Sequence, residues 1–106
     1  MRVEWHVPIG QTRPIMAALQ TLAADTRGRP GCIGCSVSSD LTNGGTVRYS
    51  EKWQSEEDLR RRMQSDTFMD LIALMEEAIQ PPTVEFALDD GARGLDFVAE
   101  VRQSPA

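Results

Sequence analysis

Apolar and polar residues alternate in the first segment of the chain. From Arg2 to Ile9 the apolar side chains occupy every second position, which predicts a half-buried strand that ends around Pro8. Apolar residues then recur at helical spacing over residues 12–27, with Pro14 in the first turn and Gly28 after the last. The pattern therefore predicts a strand followed by a helix.

The next segment predicts two strands that pair with each other. Residues 32–40 alternate loosely, and residues 47–53 alternate more regularly. The intervening Asn43-Gly44-Gly45 is a typical tight-turn sequence. We therefore expect an antiparallel hairpin.

A second helical region begins at a capping box and ends at a pair of prolines. Ser55-Glu56-Glu57-Asp58 places acidic residues in the first turn, where the helix dipole favours them. Apolar residues continue at helical spacing to Ile79, and Pro81-Pro82 ends the helix. Because Ser65-Asp66 can restart a helix, we expect a kink near residue 65.

The last part of the chain predicts two further strands. Apolar residues alternate with others at Val84, Phe86 and Leu88, which indicates a fourth strand. Residues 89–94 are typical of a loop, and the apolar positions after it predict a fifth short strand over 95–102.

The order β-α-β-β-α-β followed by an extra strand defines the fold class. It predicts an α+β, ferredoxin-like domain: an antiparallel sheet with both helices on one face. The 106 residues allow one domain, with a core over about 2–88 and a C-terminal extension over about 89–106. An apolar second face of the sheet would need cover. We therefore expect a homodimer that stacks sheet to sheet, and the last strand could reach across to the partner.

The charge balance excludes some classes of partner. Sixteen acidic and eleven basic residues give a net charge of −5, which argues against nucleic acid or an anionic membrane as the partner. No apolar stretch approaches the roughly 20 residues that span a membrane, and the N-terminus lacks the apolar segment of a signal peptide. We expect a cytoplasmic protein with reduced thiols.

Cys32 and Cys35 form a C-x-x-C pair, but the rest of the sequence gives little support for a zinc site or a redox-active disulfide there. A four-ligand zinc site would need two more ligands, and His6 is the one histidine of the chain. The pair runs into a predicted strand, whereas a redox-active pair lies at a helix N-terminus. We expect two small, half-buried structural side chains and no metal site.

Three stretches carry a resemblance to a known family: residues 30–34 (PGCIG), 49–59 (YSEKWQSEEDL) and 65–68 (SDTF). The E-x-W followed by S-x-E-x-L and S-x-x-F resembles the antibiotic biosynthesis monooxygenase (ABM) domain over roughly residues 2–88. The resemblance implies a dimeric α+β barrel. It also implies a monooxygenase that acts on a quinol or polycyclic phenol. Several such enzymes use no metal and no flavin, because the deprotonated phenol donates an electron to dioxygen directly, so we expect no cofactor.

The chain departs from that family at two positions. Many members carry a histidine three residues after the leucine of S-x-E-x-L, where this chain has Arg62, and another just before the phenylalanine, where it has Thr67. These changes remove the obvious general bases and helix-borne haem ligands. Two functions therefore stay open: a cofactor-independent monooxygenase, or a catalytically inactive small-molecule-binding or accessory protein of the same fold. A different small-molecule enzyme, such as an isomerase, is a third, because fold does not determine function.

Four residues are the candidates for a catalytic site in a pocket between the sheet and the helices. Tyr49 and Trp53 share one strand face and could bind substrate oxygens, or only pack in the core. Arg62 could stabilise a phenolate or peroxide, or be a solvated helix residue, but it cannot act as a base. His6 is the candidate base if its strand face points toward the helices, and otherwise a structural residue. Strand alternation puts His6 and Trp5 on opposite faces, so only one of them can face the pocket.

The remaining candidate is Glu51, which shares a strand face with Trp53. Burial of this carboxylate would require a partner or a raised pKa. We expect it to be exposed or salt-bridged.

Overall fold

The computed structural model describes residues 1–40, 45–78, 82–88 and 91–103. These residues form five strands, four α-helices and one short 3-10 turn over Ile9–Gln11. The strands and helices are β1 (Arg2–His6), α1 (Thr12–Arg27), β2 (Cys32–Asp40), β3 (Thr46–Trp53), α2 (Glu56–Met63), α3 (Asp66–Glu76), β4 (Thr83–Leu88), β5 (Gly91–Arg93) and α4 (Asp96–Gln103). The predicted turn at residues 43 and 44 lies outside the described residues.

The five strands form one antiparallel sheet in the order β2-β3-β1-β4-β5. The first four strands have the order of the ferredoxin-like arrangement, so the predicted fold class is confirmed. The predicted hairpin is also confirmed, because β2 and β3 pair from Cys32 opposite Trp53 to Asp40 opposite Thr46. A bulge between Cys32 and Gly34 shifts the register of this pairing.

The break predicted near residue 65 separates α2 from α3. Ser55 is the N-cap of α2, and its Oγ accepts a hydrogen bond from the Asp58 backbone N–H at 3.1 Å. At the other end of α2, the Ser65 hydroxyl donates to the carbonyl of Arg62 at 2.6 Å. Ser65 is also the N-cap of α3. Two serines therefore mark the starts of the two helices.

One continuous core lies between the helices and one face of the sheet. The sheet contributes alternate residues such as Trp5, Tyr49 and Phe86, which are fully buried. Leu19 of α1 and Phe68 of α3 pack against them without any exposed surface. The two predicted helical regions thus cover the same face, as the order of elements predicts.

The opposite face of the sheet is polar. Arg2 pairs with Glu85 at 2.8 Å and Arg48 pairs with Glu4 at 3.1 Å across this face. Ile33, at the bulge of β2, is an exposed large apolar side chain. The other outward-facing residues of the described strands are mostly polar and include Arg2, Glu4, His6, Ser36, Ser38, Asp40, Thr46, Arg48, Ser50, Lys52, Thr83, Glu85 and Ala87. The expected apolar second face is therefore wrong for the described strands, and the homodimer stays a prediction.

The predicted strand over 95–102 is wrong. This segment is helix α4, and the short strand β5 lies just before it, where the sequence predicts a loop. Phe97, Val98 and Val101 are buried, which is the i, i+1, i+4 spacing of a helix face. Arg102 donates to the Met63 carbonyl at 2.7 Å, so α4 packs on α2 of its own chain instead of extending as a strand.

None of the helices in the described part of the chain combines the length and apolar composition needed to cross a bilayer.

Candidate functional site

Three of the four candidate residues converge on the carboxylate of Glu51. The Glu51 side chain has no exposed surface. The Tyr49 hydroxyl donates to Oε2 at 2.5 Å, and the Trp53 indole Nε1 donates to Oε1 at 2.9 Å. Arg62 contacts both oxygens, with Nη2 3.1 Å from Oε2 and Nε 3.3 Å from each. We call these four residues the Glu51 cluster.

Strand periodicity explains how the cluster assembles. Tyr49, Glu51 and Trp53 occupy alternate positions of β3 and therefore share the face toward the helices. Arg62 reaches the same point from α2, one turn after Leu59. The carboxylate accepts hydrogen bonds at both oxygens, so its burial is compensated by a charge and by three donors.

A set of hydroxyl groups satisfies the rest of the Arg62 guanidinium. Its Nη2 donates to Thr26 Oγ1 at 3.2 Å, and its Nη1 donates to Thr67 Oγ1 at 2.9 Å. Arg29 donates to the same Thr67 oxygen at 2.6 Å. Arg62 and Thr67, the two positions at which the sequence departs from the ABM pattern, thus touch each other. Neither side chain is a general base of the kind that a neutral imidazole would provide.

The surroundings of the cluster hold Tyr49 and Arg62 in fixed protonation states. Burial raises the pKa of the Tyr49 phenol, and the neighbouring Glu51 carboxylate raises it further, so the phenol stays protonated. Burial by itself would lower the pKa of Arg62, but the Glu51 charge outweighs burial and the pKa is raised. Tyr49 therefore serves as a donor and Arg62 as a permanent cation.

An open cavity of about 310 Å³ adjoins the cluster at the junction of β3 and α2. Glu51 and Trp53 line it from β3, and Leu59 and Leu88 provide apolar walls. Tyr49 and Arg62 do not line this cavity. A molecule here would touch the indole but not the phenol or the guanidinium.

His6 lies apart from the Glu51 cluster. It pairs with Thr46, and Glu51 lies five residues farther along β3, roughly 17 Å at strand spacing. The sequence predicts that Trp5 or His6, but not both, faces the core, and it is Trp5 that is fully buried there. The structure does not bring the four candidate residues into one pocket.

His6 instead lines a second cavity, of about 340 Å³, at the other end of the core. The cavity lies between the end of β1, the start of α1 and the end of α3. Its walls are mostly apolar; the lining residues are Val7, Pro8, Pro14, Ile15, Leu74 and Ala78, with His6, Gln11 and Glu77 as polar groups. We call this space the His6 cavity.

The His6 ring has defined neighbours. Its Nδ1 lies 3.3 Å from Thr46 Oγ1, and its Nε2 lies 3.6 Å from Glu4 Oε1. The Glu4 contact is longer than a hydrogen bond. With Nδ1 engaged by Thr46, Nε2 is the remaining ring nitrogen.

Glu51, which we expected to be exposed or salt-bridged, is buried and paired with Arg62 at the centre of the site. The strand pattern contains the signal, because period two puts a carboxylate between two large aromatic residues on a core-facing strand. A charge at such a position needs a buried partner. Only the packing of α2 on β3 shows that the partner is Arg62.

The two thiols are free, and no candidate metal centre involves them. Cys35 is buried and Cys32 half-buried, and burial raises the pKa of both thiols. Within the described residues no group of three or more His, Cys, Asp or Glu side chains could hold a metal ion. The thiols have the character of small packing residues.

Comparisons with solved structures give the fold. A conserved protein from Methanosarcina mazei Go1 superposes with a TM-score of 0.62 at 24% identity, covering 87% of this chain and 84% of that one. A protein from Bacteroides thetaiotaomicron VPI-5482, described as a possible oxidoreductase, gives a TM-score of 0.65 at 21% identity, with 73% and 82% coverage. An antibiotic biosynthesis monooxygenase gives 0.64 at 18% identity, with 77% and 87% coverage.

Sequence comparison gives the family. No curated protein matches the chain. The family model for antibiotic biosynthesis monooxygenases matches residues 1–74, which include β1 through most of α3 and therefore both Glu51 and Arg62. On this match, which spans most of the chain, the protein belongs to the antibiotic biosynthesis monooxygenase family.

Proposed function

We propose that this family member is a cofactor-independent monooxygenase that oxidises a small quinol or phenol in the His6 cavity. One observation carries the proposal: His6, at the end of β1, is among the residues that line a cavity whose walls are otherwise mostly apolar. A phenol needs such a combination, because its ring is apolar and its hydroxyl needs a base. The volume of about 340 Å³ fits one or two fused rings better than a large polycyclic skeleton.

The chemistry follows from the loss of one proton. His6 Nε2 accepts the hydroxyl proton, and the phenolate gives one electron to dioxygen. The phenoxyl radical and superoxide combine at a ring carbon to give a peroxide anion, which takes back the proton from His6. The resulting hydroperoxide loses water to leave a carbonyl. One oxygen atom enters the product and the other leaves as water, so the four electrons that reduce dioxygen all come from the substrate.

The Glu51 cluster has a supporting role in this proposal. Tyr49 and Arg62 are buried and bonded within the protein, and neither lines the His6 cavity. Trp53 lines the other cavity. These residues hold α2 against β3, while His6 is the residue that touches the substrate.

A binding protein without turnover is the second candidate. It is favoured by the hydrogen bonds of Glu51, whose two oxygens are occupied by Tyr49, Trp53 and Arg62. The one carboxylate of this cluster therefore has no oxygen that lacks a partner within the protein. If His6 is also inactive, the chain can bind an aromatic molecule but cannot activate it.

The experiment uses 1,4-dihydroxynaphthalene and ¹⁸O-labelled dioxygen. We expect the enzyme to form a hydroxynaphthoquinone that carries one labelled oxygen, faster than the same buffer without protein. His6→Gln should lower that rate by at least about a hundredfold, the range of a general base. Ser38→Ala, on the exposed sheet face, is the matched control and should keep the full rate.

Three outcomes decide between the candidates. Labelled product at the buffer rate, or an unchanged rate in His6→Gln, rejects the oxygenase. Unlabelled naphthoquinone with hydrogen peroxide shows simple autoxidation, in which no oxygen is inserted. Binding under nitrogen without oxygen-dependent product under air supports the binding protein.

A further inference from the structure

We propose that Glu77 is a specificity-determining residue of the His6 cavity, selecting neutral ligands with a second hydroxyl group and excluding aromatic carboxylates. The inference rests on the proposed function and deepens it, because it names the substrate class: neutral diols of one or two rings. It comes from the distribution of charge around the cavity.

The polar groups of the cavity come from three different elements. His6 lies at the end of β1, Gln11 at the start of α1, and Glu77 at the end of α3. The remaining described lining residues are apolar. A ligand that places one oxygen at His6 therefore has the Gln11 amide and the Glu77 carboxylate as its further polar partners.

The ends of α1 and α3 also place opposite partial charges at the cavity. α1 presents its N-terminal end, which carries partial positive charge, and its first turn contains no acidic residue. α3 presents its C-terminal end, which carries partial negative charge, and its last turn contains no basic residue. The α1 end thus favours an oxygen that becomes an anion, while the α3 end with Glu77 favours a hydrogen-bond donor.

A carboxylate accepts hydrogen bonds but donates none, and this property distinguishes related ligands. The distal hydroxyl of a quinol can donate to Glu77. The distal oxygen of the quinone product is an acceptor only, so the contact is lost and the product leaves more easily. A ligand carboxylate at that position would meet a like charge, which weakens binding roughly fivefold at contact distance in water.

Equilibrium dialysis under nitrogen tests the inference without turnover. The ligands are 1,4-dihydroxynaphthalene, 4-methoxy-1-naphthol and 4-hydroxy-1-naphthoate, which present a donor, an acceptor and an anion at the distal position. We expect the diol to bind most tightly, the methoxy compound a fewfold more weakly, and the naphthoate most weakly. Salt should reduce the exclusion of the naphthoate, because exposed charges are screened.

Two variants separate the role of Glu77 from general effects. Glu77→Gln should improve naphthoate binding roughly fivefold and remove its salt dependence. Glu76→Gln removes the neighbouring charge, which does not line the cavity, and should leave the order unchanged. Equal binding of diol and naphthoate by the wild type, or the same order in Glu77→Gln, would overturn the inference. If the three ligands bind in the expected order but no labelled product forms, the oxygenase is rejected and the role of Glu77 stands. If labelled product forms but the ligands do not bind in that order, only the role of Glu77 is rejected.

Discussion

Arg62 supplies the charge that balances the buried carboxylate of Glu51. Nη2 of the arginine lies 3.1 Å from Oε2 of the glutamate, and neither side chain has any exposed surface. The two residues come from different elements, α2 and β3, so the pair fixes how the helix lies on the sheet. Loss of one partner leaves an uncompensated charge in the core.

We expect Arg62→Met to lower the free energy of unfolding by about 3–5 kcal/mol, because Glu51 loses its counter-charge. The double variant Arg62→Met, Glu51→Gln should recover a large part of this loss, since the remaining amide can still accept from Trp53. Urea unfolding followed by circular dichroism measures both. Arg61→Met on the same helix is the control: Arg61 is exposed, and its loss should cost no more than about 0.5 kcal/mol. Equal effects of the two single variants would contradict the role of the pair.

Tyr49 is the single tyrosine of the chain, so tyrosinate absorbance reports on this residue alone. Burial and the Glu51 charge raise its folded-state pKa, so the folded protein retains a proton that the unfolded chain releases near pH 10. The stability that Tyr49 contributes is complete below the unfolded pKa and falls as the pH rises above it. We expect tyrosinate to appear together with loss of circular dichroism. In the unfolded control in urea, tyrosinate absorbance should appear near pH 10. Ionisation near pH 10 in a folded sample would show that the phenol is not buried.

The C-terminal segment offers a test of helix against strand. In α4, Val98 is buried and Leu95, just before the helix, is half exposed. A strand over the same residues would reverse the pattern, because Leu95 would share a face with Phe97 and Val98 would not. We expect Val98→Ala to cost about 1–2 kcal/mol and Leu95→Ala at most about 0.5 kcal/mol in thermal or urea unfolding. The opposite ranking would favour the strand.

Gly31 occupies a backbone conformation that favours glycine. Its φ is +85°, and a Cβ atom there would lie 2.4 Å from the Asp58 carboxyl carbon at the start of α2. Gly31→Ala should therefore lower the free energy of unfolding by about 1–3 kcal/mol. Gly28→Ala is the control, because Gly28 has a φ of −84° and a Cβ there meets only the Asp25 carbonyl oxygen at 3.6 Å. Similar effects for both glycines would contradict the steric explanation.

The pattern of the sequence predicts most of the elements because their signals are local. The apolar spacing over 12–27 matches α1, and the serines at 55 and 65 mark the starts of α2 and α3. The prediction for 95–102 is wrong because the apolar positions there fit both periods over such a short stretch. The packing of Phe97 against Phe86, with ring centroids 5.4 Å apart, is a tertiary contact that stabilises the helix over the strand.

The candidate site was predictable only in part. The alternation of β3 by itself determines that Tyr49, Glu51 and Trp53 share one face, because side chains of a strand point to the two faces in turn. The tertiary structure decided that Arg62 closes this group and that His6 lies at the far end of the core. The first depends on how α2 packs on β3, and the second on how β1 pairs with β3. Contacts between such distant segments leave no periodic trace in the sequence.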